Sequence, residues 1–386
     1  MLAAHCLIEI VGLTALAVAA GYTVLSLLAL AAWYLRRPAG SRRPAGPVTV
    51  LKPLCGAEPG LYENLRSFCV QDGTEFQIVL GLRDPSDPAL QVAQRLVAEF
   101  PSLQIDIVVD LRQQGSNRKI SNLMNMLPKA RHELLVVSDS DVRVGRDYLA
   151  AVTAPLHDSQ VGLVSCIYHD EPTHGVWSRL GAMYVNEWYI PSVLLAWLFG
   201  HQGYSSGQTM CLRRQTLLAV GGFAAMANHL ADDYRLCELI RAQGLRNVMC
   251  CYVPTAEHHE PSLAVLLRHE IRWMCTLRVL RPRSFQLLFF SFSIPLAVAG
   301  LLLCSAASAA PAAAWMLFRI TVLARLAVHC AHRLNGARPV LADSWLILPR
   351  DFLMCWVWCC SFFTRRISWR GSEFDVDLHG TMRRAS

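Results

Sequence analysis

Apolar residues are concentrated towards the two ends of the chain. Between Cys6 and Leu35 the only formally charged residue is Glu9, and about 20 consecutive apolar residues suffice to cross a bilayer. The run lacks the basic start and the short core of a signal peptide. It therefore predicts a transmembrane anchor over residues 1–36.

Basic residues follow this anchor at once, namely Arg36, Arg37, Arg42 and Arg43. Positive charge marks the cytoplasmic end of a membrane span. We therefore expect the N-terminus outside and the segment after the anchor in the cytoplasm.

A second apolar zone contains three candidate spans, at residues 285–304, 312–330 and 344–363. The middle candidate carries Arg319 and Arg325, and the last carries Arg350 and Asp351. Charges at membrane depth are costly unless they are paired or face a cavity. We expect Arg350 and Asp351 either to neutralise each other or to lie, with their segment, in the membrane interface.

The orientation of the C-terminal part is ambiguous. Three full spans within residues 284–364 would leave the C-terminus outside, whereas a basic tail at residues 365–386 favours the inside. We therefore expect one of the later segments to be re-entrant or interfacial. Residues 186–200 form a shorter, aromatic-rich apolar run, which fits an interfacial helix better than a span.

Between residues 47 and 283, short β-branched runs alternate with segments of helical spacing. This alternation predicts an α/β domain with a mostly parallel sheet that helices cover on both faces. Ligands of such sheets bind beyond the carboxyl ends of the strands. Asp84 and Asp139 each come just past a predicted strand.

Composition adds a membrane and a charge argument to this picture. A hydrophobic fraction of 53% and a mean hydropathy of +0.31 exceed what a soluble enzyme needs. The net charge of +7 suits an anionic membrane surface or a phosphate-bearing substrate, and we recognise no nucleic-acid-binding module. The fourteen cysteines contain no C-x-x-C pair, which favours reduced and buried thiols.

Two pairs of aspartates each have a structural and a chemical interpretation. Asp139 and Asp141 follow a buried strand, where they would either accept the hydrogen bonds of a turn or bind a divalent cation. Asp232 and Asp233 open a helix. They would either stabilise its N-terminus or raise each other's pKa, so that one acts as a general base near neutral pH.

An arginine and an aromatic residue follow in "RHEIRW", where Arg272 precedes Trp273. Arg272 could hold a diphosphate through charge-assisted hydrogen bonds, or it could belong to a basic patch beside the membrane. The neighbouring run His258, His259 and Glu260 lacks the ligand spacing of a metal site.

The order of these motifs, Asp, Asp-x-Asp, Asp-Asp and Arg-Trp, resembles the inverting GT-A glycosyltransferases that include cellulose and hyaluronan synthases. Seven stretches resemble the ceramide glucosyltransferases and their bacterial relatives, most of all the hopanoid-biosynthesis glycosyltransferases: "LKPLCG", "GLRDPSDPA", "NRKISNLMNM", "SDSDVRV", "ADDY", "RHEIRW" and "ISWRG". The resemblance runs from about Val48 to Phe374. It implies a Rossmann-like GT-A domain on the cytoplasmic side of a bacterial inner membrane, between N-terminal and C-terminal transmembrane helices.

The resemblance also implies a role for each matching residue. Asp233 matches the catalytic base, with Asp232 as its acidic neighbour, and Asp139 and Asp141 match ligands of Mg²⁺ or Mn²⁺. The residues implied in binding the nucleotide sugar are Lys52, Pro53, Asp84, Lys119 and Asp139. Those implied in contacting the diphosphate or the acceptor are Gly207, His269, Arg272 and Trp273. His269 stands where the family pattern has Gln or Arg.

The implied activity is the transfer of one sugar, glucose or N-acetylglucosamine, from a UDP-sugar to the hydroxyl group of a hopanoid or ceramide-type lipid. Two alternatives stay open from the sequence. One is a processive polysaccharide synthase with the same core, which would need more spans, and the other is a non-catalytic membrane scaffold that keeps the fold. A small transporter is disfavoured by the length of the segment between the apolar zones.

Overall fold

The computed structural model describes residues 2–36, 43–307, 311–333, 341–364, 366–369, 372–377 and 380–384. Arg37 and Arg42 after the anchor, and Arg365 and Arg370 of the basic tail, lie outside these residues. The chain divides into two compact units. The helical unit comprises Met1–Arg36, His174–Phe199 and Glu260–Ser368, and the sheet unit comprises Arg37–Thr173, Gly200–His259 and Trp369–Ser386.

The elements are numbered along the chain. The helices are α1 (Leu2–Tyr34), α2 (Leu61–Cys69), α3 (Ala89–Glu99), α4 (Arg118–Met126), α5 (Tyr148–Thr153), α6 (Gly175–Tyr184), α7 (Ile190–Leu198), α8 (Arg214–Ala219), α9 (Asp232–Ala242), α10 (Leu263–Leu280), α11 (Pro282–Leu287), α12 (Ser293–Ala307), α13 (Ala312–Arg333) and α14 (Ile347–Ser361). The strands are β1 (Val48–Pro53), β2 (Phe76–Leu82), β3 (Ile105–Val109), β4 (Leu134–Val137), β5 (Val142–Arg143), β6 (Val161–Cys166), β7 (His169–Pro172), β8 (Met210–Arg213), β9 (Arg246–Cys250), β10 (Thr255–His258), β11 (Arg366–Trp369), β12 (Ser372–Val376) and β13 (Met382–Arg384).

A seven-stranded sheet with the order β3-β2-β1-β4-β8-β6-β9 organises the sheet unit. Its neighbours are parallel, except that β8 runs antiparallel to both β4 and β6. The prediction of a mostly parallel sheet is therefore confirmed. The reversed strand was not predicted, because the direction of a strand depends on pairing with partners distant in the sequence.

Hydrophobic cores fill both faces of this sheet. Along β4, Val136 points into one core while Leu135 and Val137 point into the other, as the two-residue period of a strand requires. Apolar residues of α2, α3 and α5 complete the first core, and those of α4, α8 and α9 complete the second. Full burial of one such side chain contributes about 1.5–3 kcal/mol.

Two helices of the described chain are long and apolar enough to cross a membrane, over Ala3–Tyr34 and Ala312–His332. A third candidate, Pro282–Ser291 with Ser293–Ala307, is bent by 64° and could be a broken span or a re-entrant loop. The last predicted span holds a 3₁₀ helix at Ser344–Leu346 followed by α14. The 15 residues of α14 fall short of the roughly 20 that a span needs. The interfacial position of residues 186–200 stays a prediction.

Glycines allow α1 to pack closely against α12. An added Cβ at Gly300 would lie 2.7 Å from the carbonyl oxygen of Gly12, and one at Gly12 would lie 2.7 Å from that of Gly300. Helices in membranes associate through such small-residue crossings. The contact fixes α1 against α12.

The charges near the end of the helical unit are paired, although not as expected. Arg350 makes a bidentate pair with Glu270 at 2.5 and 2.7 Å, and both side chains are almost fully buried. Asp351 accepts instead from Arg325, which also donates to Glu187 at 2.7 Å. Of the two alternatives for these residues, neutralisation between Arg350 and Asp351 is therefore wrong, because adjacent residues on a helix point in different directions.

The buried Arg350–Glu270 pair yields a stability prediction. The Arg350→Met substitution leaves a buried carboxylate without its partner, which costs about 3–5 kcal/mol. We expect a lower thermal unfolding midpoint in detergent. Arg66→Met, which removes the partner of Glu99 from an exposed pair, should cost less than about 1 kcal/mol. Equal shifts in the two variants would contradict the prediction, and adding Glu270→Gln to Arg350→Met should restore part of the loss.

Candidate active site

One ammonium group joins the two acidic motifs in the sheet unit. Lys119, in the first turn of α4, places Nζ 2.7 Å from Oδ1 of Asp139 and 3.5 Å from Oδ2 of Asp232. Burial alone would lower the pKa of Lys119, but the carboxylates of Asp139 and Asp232 outweigh it and hold that pKa above its usual value. Lys119 is therefore a fixed positive charge at this site.

Lys52 supports Asp139 from inside the sheet. It lies on β1, is fully buried, and donates from Nζ to the carbonyl oxygen of Asp139 at 2.5 Å. Its ammonium also lies 3.8 Å from the centroid of the Phe68 ring. Burial lowers the pKa of Lys52 to about 7, although Asp141 and Asp139 oppose the shift.

Asp141 has the character of an incomplete cation site. Its Oδ1 atom is buried and has no hydrogen-bond partner among the described residues. Burial raises the pKa of Asp141 to about 7, and the negative charges of Asp139, Glu58 and Asp170 add to the effect. A buried oxygen without a donor costs free energy, and a hard divalent cation prefers this kind of ligand. Asp139 and Asp141 therefore fit the predicted metal.

Among the described residues, the side chains do not enclose such an ion by themselves. Over the described ranges, no three His, Cys, Asp or Glu side chains are grouped closely enough to hold a metal. Mg²⁺ is usually bound by one or two carboxylates together with substrate phosphates and water. The donor set fits a cation that is shared with a ligand.

The acidic pair opens α9 beside Lys119. Asp232 is buried, and its Oδ1 lies 3.4 Å from Nδ2 of Asn117. Asp233 accepts from the backbone N–H of Tyr234 at 2.7 Å. Burial, followed by the charge of Asp232, raises the pKa of Asp233 to about 7, and Lys119 opposes this shift. A carboxylate with this pKa is suited to act as a base near neutral pH.

Gly207 lies against the ion pair. Its carbonyl oxygen accepts from the backbone N–H of Asp139 at 3.2 Å. An added Cβ would lie 2.6 Å from both Oδ2 of Asp139 and Nζ of Lys119. A side chain at this position would therefore displace the Asp139 carboxylate or the Lys119 ammonium, which the sequence motif alone did not establish.

The other predicted nucleotide contacts lie at the same edge of the sheet. Pro53 ends β1 and Asp84 follows β2, and both strands run parallel to β4. Asp84 accepts from the side chain and the backbone of Ser86 at 2.6 and 2.8 Å. These hydrogen bonds lower the pKa of Asp84, so it is a carboxylate at neutral pH.

The remaining predicted residues belong to the helical unit, on α10. His269 hydrogen-bonds Glu260 through Nδ1 at 2.6 Å and stacks on Trp273 with 4.8 Å between ring centroids. Trp273 also lies 5.3 Å from the ring of Tyr184. Arg272 is on the same helix. The structure thus groups the predicted residues in two sets, one in each unit.

Asn117 is a site residue that the sequence interpretation missed. Its side-chain oxygen accepts from the N–H of Ile120 at 3.0 Å and starts α4, the helix that carries Lys119. Its Nδ2 donates to the carbonyl oxygen of His229 at 2.8 Å. In the sequence, Asn117 has the pattern of an ordinary helix-capping asparagine. Capping does not reveal a contact with a residue about 110 positions away.

Comparisons with known proteins agree with this geometry. The profile described as Glycosyl transferase family 21 matches residues 11–382. Ceramide glucosyltransferase 1 of Caenorhabditis elegans is 24% identical over 200 residues, which cover 52% of this chain and 43% of that protein. Ceramide glucosyltransferase 3 of the same organism is 22% identical over 228 residues, which cover 59% and 50%. The matched part spans about half the length of these relatives.

A solved structure extends the likeness to nearly the whole chain. It is a mannosyltransferase from Pyrobaculum calidifontis in complex with GDP-Man and Mn²⁺, with a TM-score of 0.50 and 18% identity. The match covers 92% of this chain and 98% of that one. At this identity the likeness shows the fold alone, and it confirms the expected GT-A-like fold.

The close packing at Gly207 predicts the effect of adding one methyl group. Gly207→Ala should separate Lys119 from Asp139, because the ends of both side chains can move whereas the backbone cannot. We expect affinity for Mn²⁺ in the presence of UDP, measured by electron paramagnetic resonance, to fall at least severalfold, because the Asp139 carboxylate is displaced. Gly21→Ala, in open space on α1, should change neither binding nor the unfolding midpoint, and equal affinities in the two variants would contradict the packing argument.

Proposed function

The chain belongs to Glycosyl transferase family 21, and from this we propose that it transfers one sugar from a UDP-sugar to a hydroxyl group of a membrane lipid, with inversion. The observation that carries the proposal is the Lys119 ammonium, which lies within 3.5 Å of both Asp139 and Asp232. It joins the strand-end carboxylate and the acidic pair in one site. Oδ1 of the nearby Asp141 is buried without a hydrogen-bond partner among the described residues, which favours a bound cation over a scaffold whose charges only offset one another.

Asp233 is the proposed general base. Its carboxylate takes the proton of the acceptor hydroxyl as the hydroxyl oxygen attacks the anomeric carbon. The bond from that carbon to the diphosphate oxygen breaks, and its electron pair leaves with UDP. A pKa of about 7 leaves Asp233 largely ionised just above neutral pH and still basic enough to accept the proton.

The departing diphosphate requires positive charge. Mg²⁺ or Mn²⁺ held by Asp139 and Asp141 would act as a Lewis acid when bound and neutralise charge on the phosphate oxygens. Lys119 keeps Asp139 oriented and contributes a second positive charge near the phosphates. Arg272 is proposed to contact the same diphosphate, a role that rests on the family motif.

The remaining contacts complete the proposed donor and acceptor sites. Lys52, Pro53 and Asp84 would contact the nucleotide at the carboxyl edge of the sheet. Gly207 would line the sugar and acceptor site, and His269 with Trp273 would line the acceptor side. The donor sugar is glucose or N-acetylglucosamine in this proposal, and the acceptor is a hopanoid or ceramide-type lipid.

The proposed setting is a bacterial inner membrane, with the catalytic domain of residues 47–283 in the cytoplasm. The anchor at residues 1–36 and the membrane segments at 284–364 would flank that domain, and the basic tail at 365–386 would follow. Exposed Leu198 and Phe199 at the end of α7 would enter the membrane interface. The Arg36 guanidinium, 4.0 Å from the Trp197 ring, would remain at the lipid headgroups.

Replacement of the base tests the reaction. Asp233→Asn should lower sugar transfer by roughly 10²–10⁴-fold while UDP binding persists, because the amide cannot take the proton. The measurement is mass spectrometry of lipids from cells that express either form, which also identifies the added sugar and the acceptor. Glu238→Gln, an exposed change on the same helix, is the control. Full transfer by Asp233→Asn would refute the mechanism.

The raised pKa of Asp233 predicts a pH dependence. Because the base acts when deprotonated, transfer should increase as the pH rises through about 7. The Asp232→Asn substitution removes the negative charge of Asp232 and should lower the pKa of Asp233. The pH at which transfer reaches half of its maximum should therefore decrease. The check is the pH profile of kcat/KM for both proteins. A midpoint that stays in place or moves upward would exclude Asp233 as the titrating base.

A further inference from the structure

Strands β12 and β13 form a hairpin in the sheet unit. They pair antiparallel, with Val376 opposite Met382. The hairpin is closed by a hydrogen bond from the N–H of Asp377 to the carbonyl oxygen of Thr381 at 3.1 Å. The N–H of Thr381 returns a hydrogen bond to Oδ1 of Asp377 at 2.9 Å. The side chains of Phe374 and Met382 are buried, so the hairpin is packed against the protein.

The outer edge of β13 pairs with residues 227–231. We name this segment the acid loop because it leads into the acidic pair at the start of α9. The N–H of Met382 donates to the carbonyl oxygen of Asn228 at 2.7 Å, and the N–H of Leu230 donates to that of Gly380 at 2.9 Å. His229 and Thr381 form an antiparallel bridge between these two bonds. The acid loop therefore continues the pairing of β13 on the edge away from β12.

The segment before α4 holds the acid loop from another side. The N–H of Asn117 donates to the carbonyl oxygen of Ala227 at 2.8 Å, and that of Ser116 donates to Oδ1 of Asn228 at 2.9 Å. An added Cβ at Gly115 would lie 2.4 Å from the carbonyl oxygen of Ala227, so the two backbones are in close contact.

Ser116 connects all three segments. Its Oγ donates to the carbonyl oxygen of Met382 at 3.0 Å, while its backbone binds the acid loop. Lys119 lies three residues further along, and Asp232 follows directly after the acid loop. The hairpin is therefore tied to both chain segments whose ends carry the ion pair between Lys119 and Asp232.

We propose that the β12–β13 hairpin is a positioning element, which sets the acidic pair of α9 against Lys119 by bracing the acid loop. Three of these hydrogen bonds join backbone groups, and the side chains of Ser116, Asn117 and Asn228 add further ones. The proposal rests on the proposed function only where it names Asp233 as the base. The brace itself is a property of the fold and can be measured without turnover.

A proline at position 382 removes the N–H that Asn228 accepts. In Met382→Pro we expect kcat to fall roughly ten- to a hundredfold, the scale of a 1 Å misplacement, with KM for the UDP-sugar little changed. Met382→Leu keeps the N–H and a side chain of similar volume, and it should retain kcat. Ser116→Ala should also lower kcat, although by a smaller factor, and Ser116→Thr should keep kcat near its original value.

Hydrogen exchange of the full chain in detergent separates failure of this inference from failure of the proposed function. The amides of residues 228–230 should exchange faster in Met382→Pro and in Ser116→Ala than in Met382→Leu. Unchanged exchange in both would overturn the brace. A lower unfolding midpoint with unchanged kcat would reduce the hairpin to a stabilising element and also overturn the proposal. If Met382→Pro does not fold, Ser116→Ala decides between these outcomes, and an active Asp233→Asn variant would reject the base without affecting the exchange result.

Discussion

The candidate site depends on a single ammonium group placed between carboxylates that would otherwise repel one another. Two like charges 4 Å apart repel by roughly 4 kcal/mol at an effective dielectric constant of about 20. Lys119 lies within 3.5 Å of Asp139 and Asp232, and Lys52 donates to the carbonyl oxygen of Asp139 from inside the sheet. The arrangement offsets enough charge for the strand end and the start of α9 to come together, and it leaves Asp141 and Asp233 with pKa values near neutrality.

The helical unit follows the same constraint with different groups. Arg325 is buried between two carboxylates, Glu187 and Asp351, and His329 bonds to Glu187 through Nδ1 and to the carbonyl oxygen of Ala342 through Nε2. These charged groups are thus paired with one another, which is how charged residues persist among apolar helices.

The sequence predicted the features that depend on local pattern and missed those that depend on contacts between distant residues. Periodicity predicted the strands and helices of the sheet unit, and the resemblance of the motifs to a known family grouped Asp139 with Asp232 and Asp233. The pairing of Arg350 with Glu270, in place of Asp351, required knowledge of which helix faces which. The role of Asn117 and the docking of β13 on the acid loop are likewise long-range contacts. Capping and strand propensity do not encode such contacts.

The reversed direction of β8 has a further consequence for how this fold can change. Met210 at the start of β8 lies beside Val137 at the end of β4. The segment before β8, and not the segment after it, therefore reaches the edge of the sheet where Asp139 lies. Residues 200–209 thereby bring Gly207 to Asp139, and none of them belongs to the ladder that holds the sheet. The exposed start of this segment, residues 200–202, can accept insertions while the strand pairing stays intact. Tyr204 and Ser206 are buried and donate to the carbonyl oxygen of Cys166 on β6, so the part next to Gly207 cannot vary independently of the sheet.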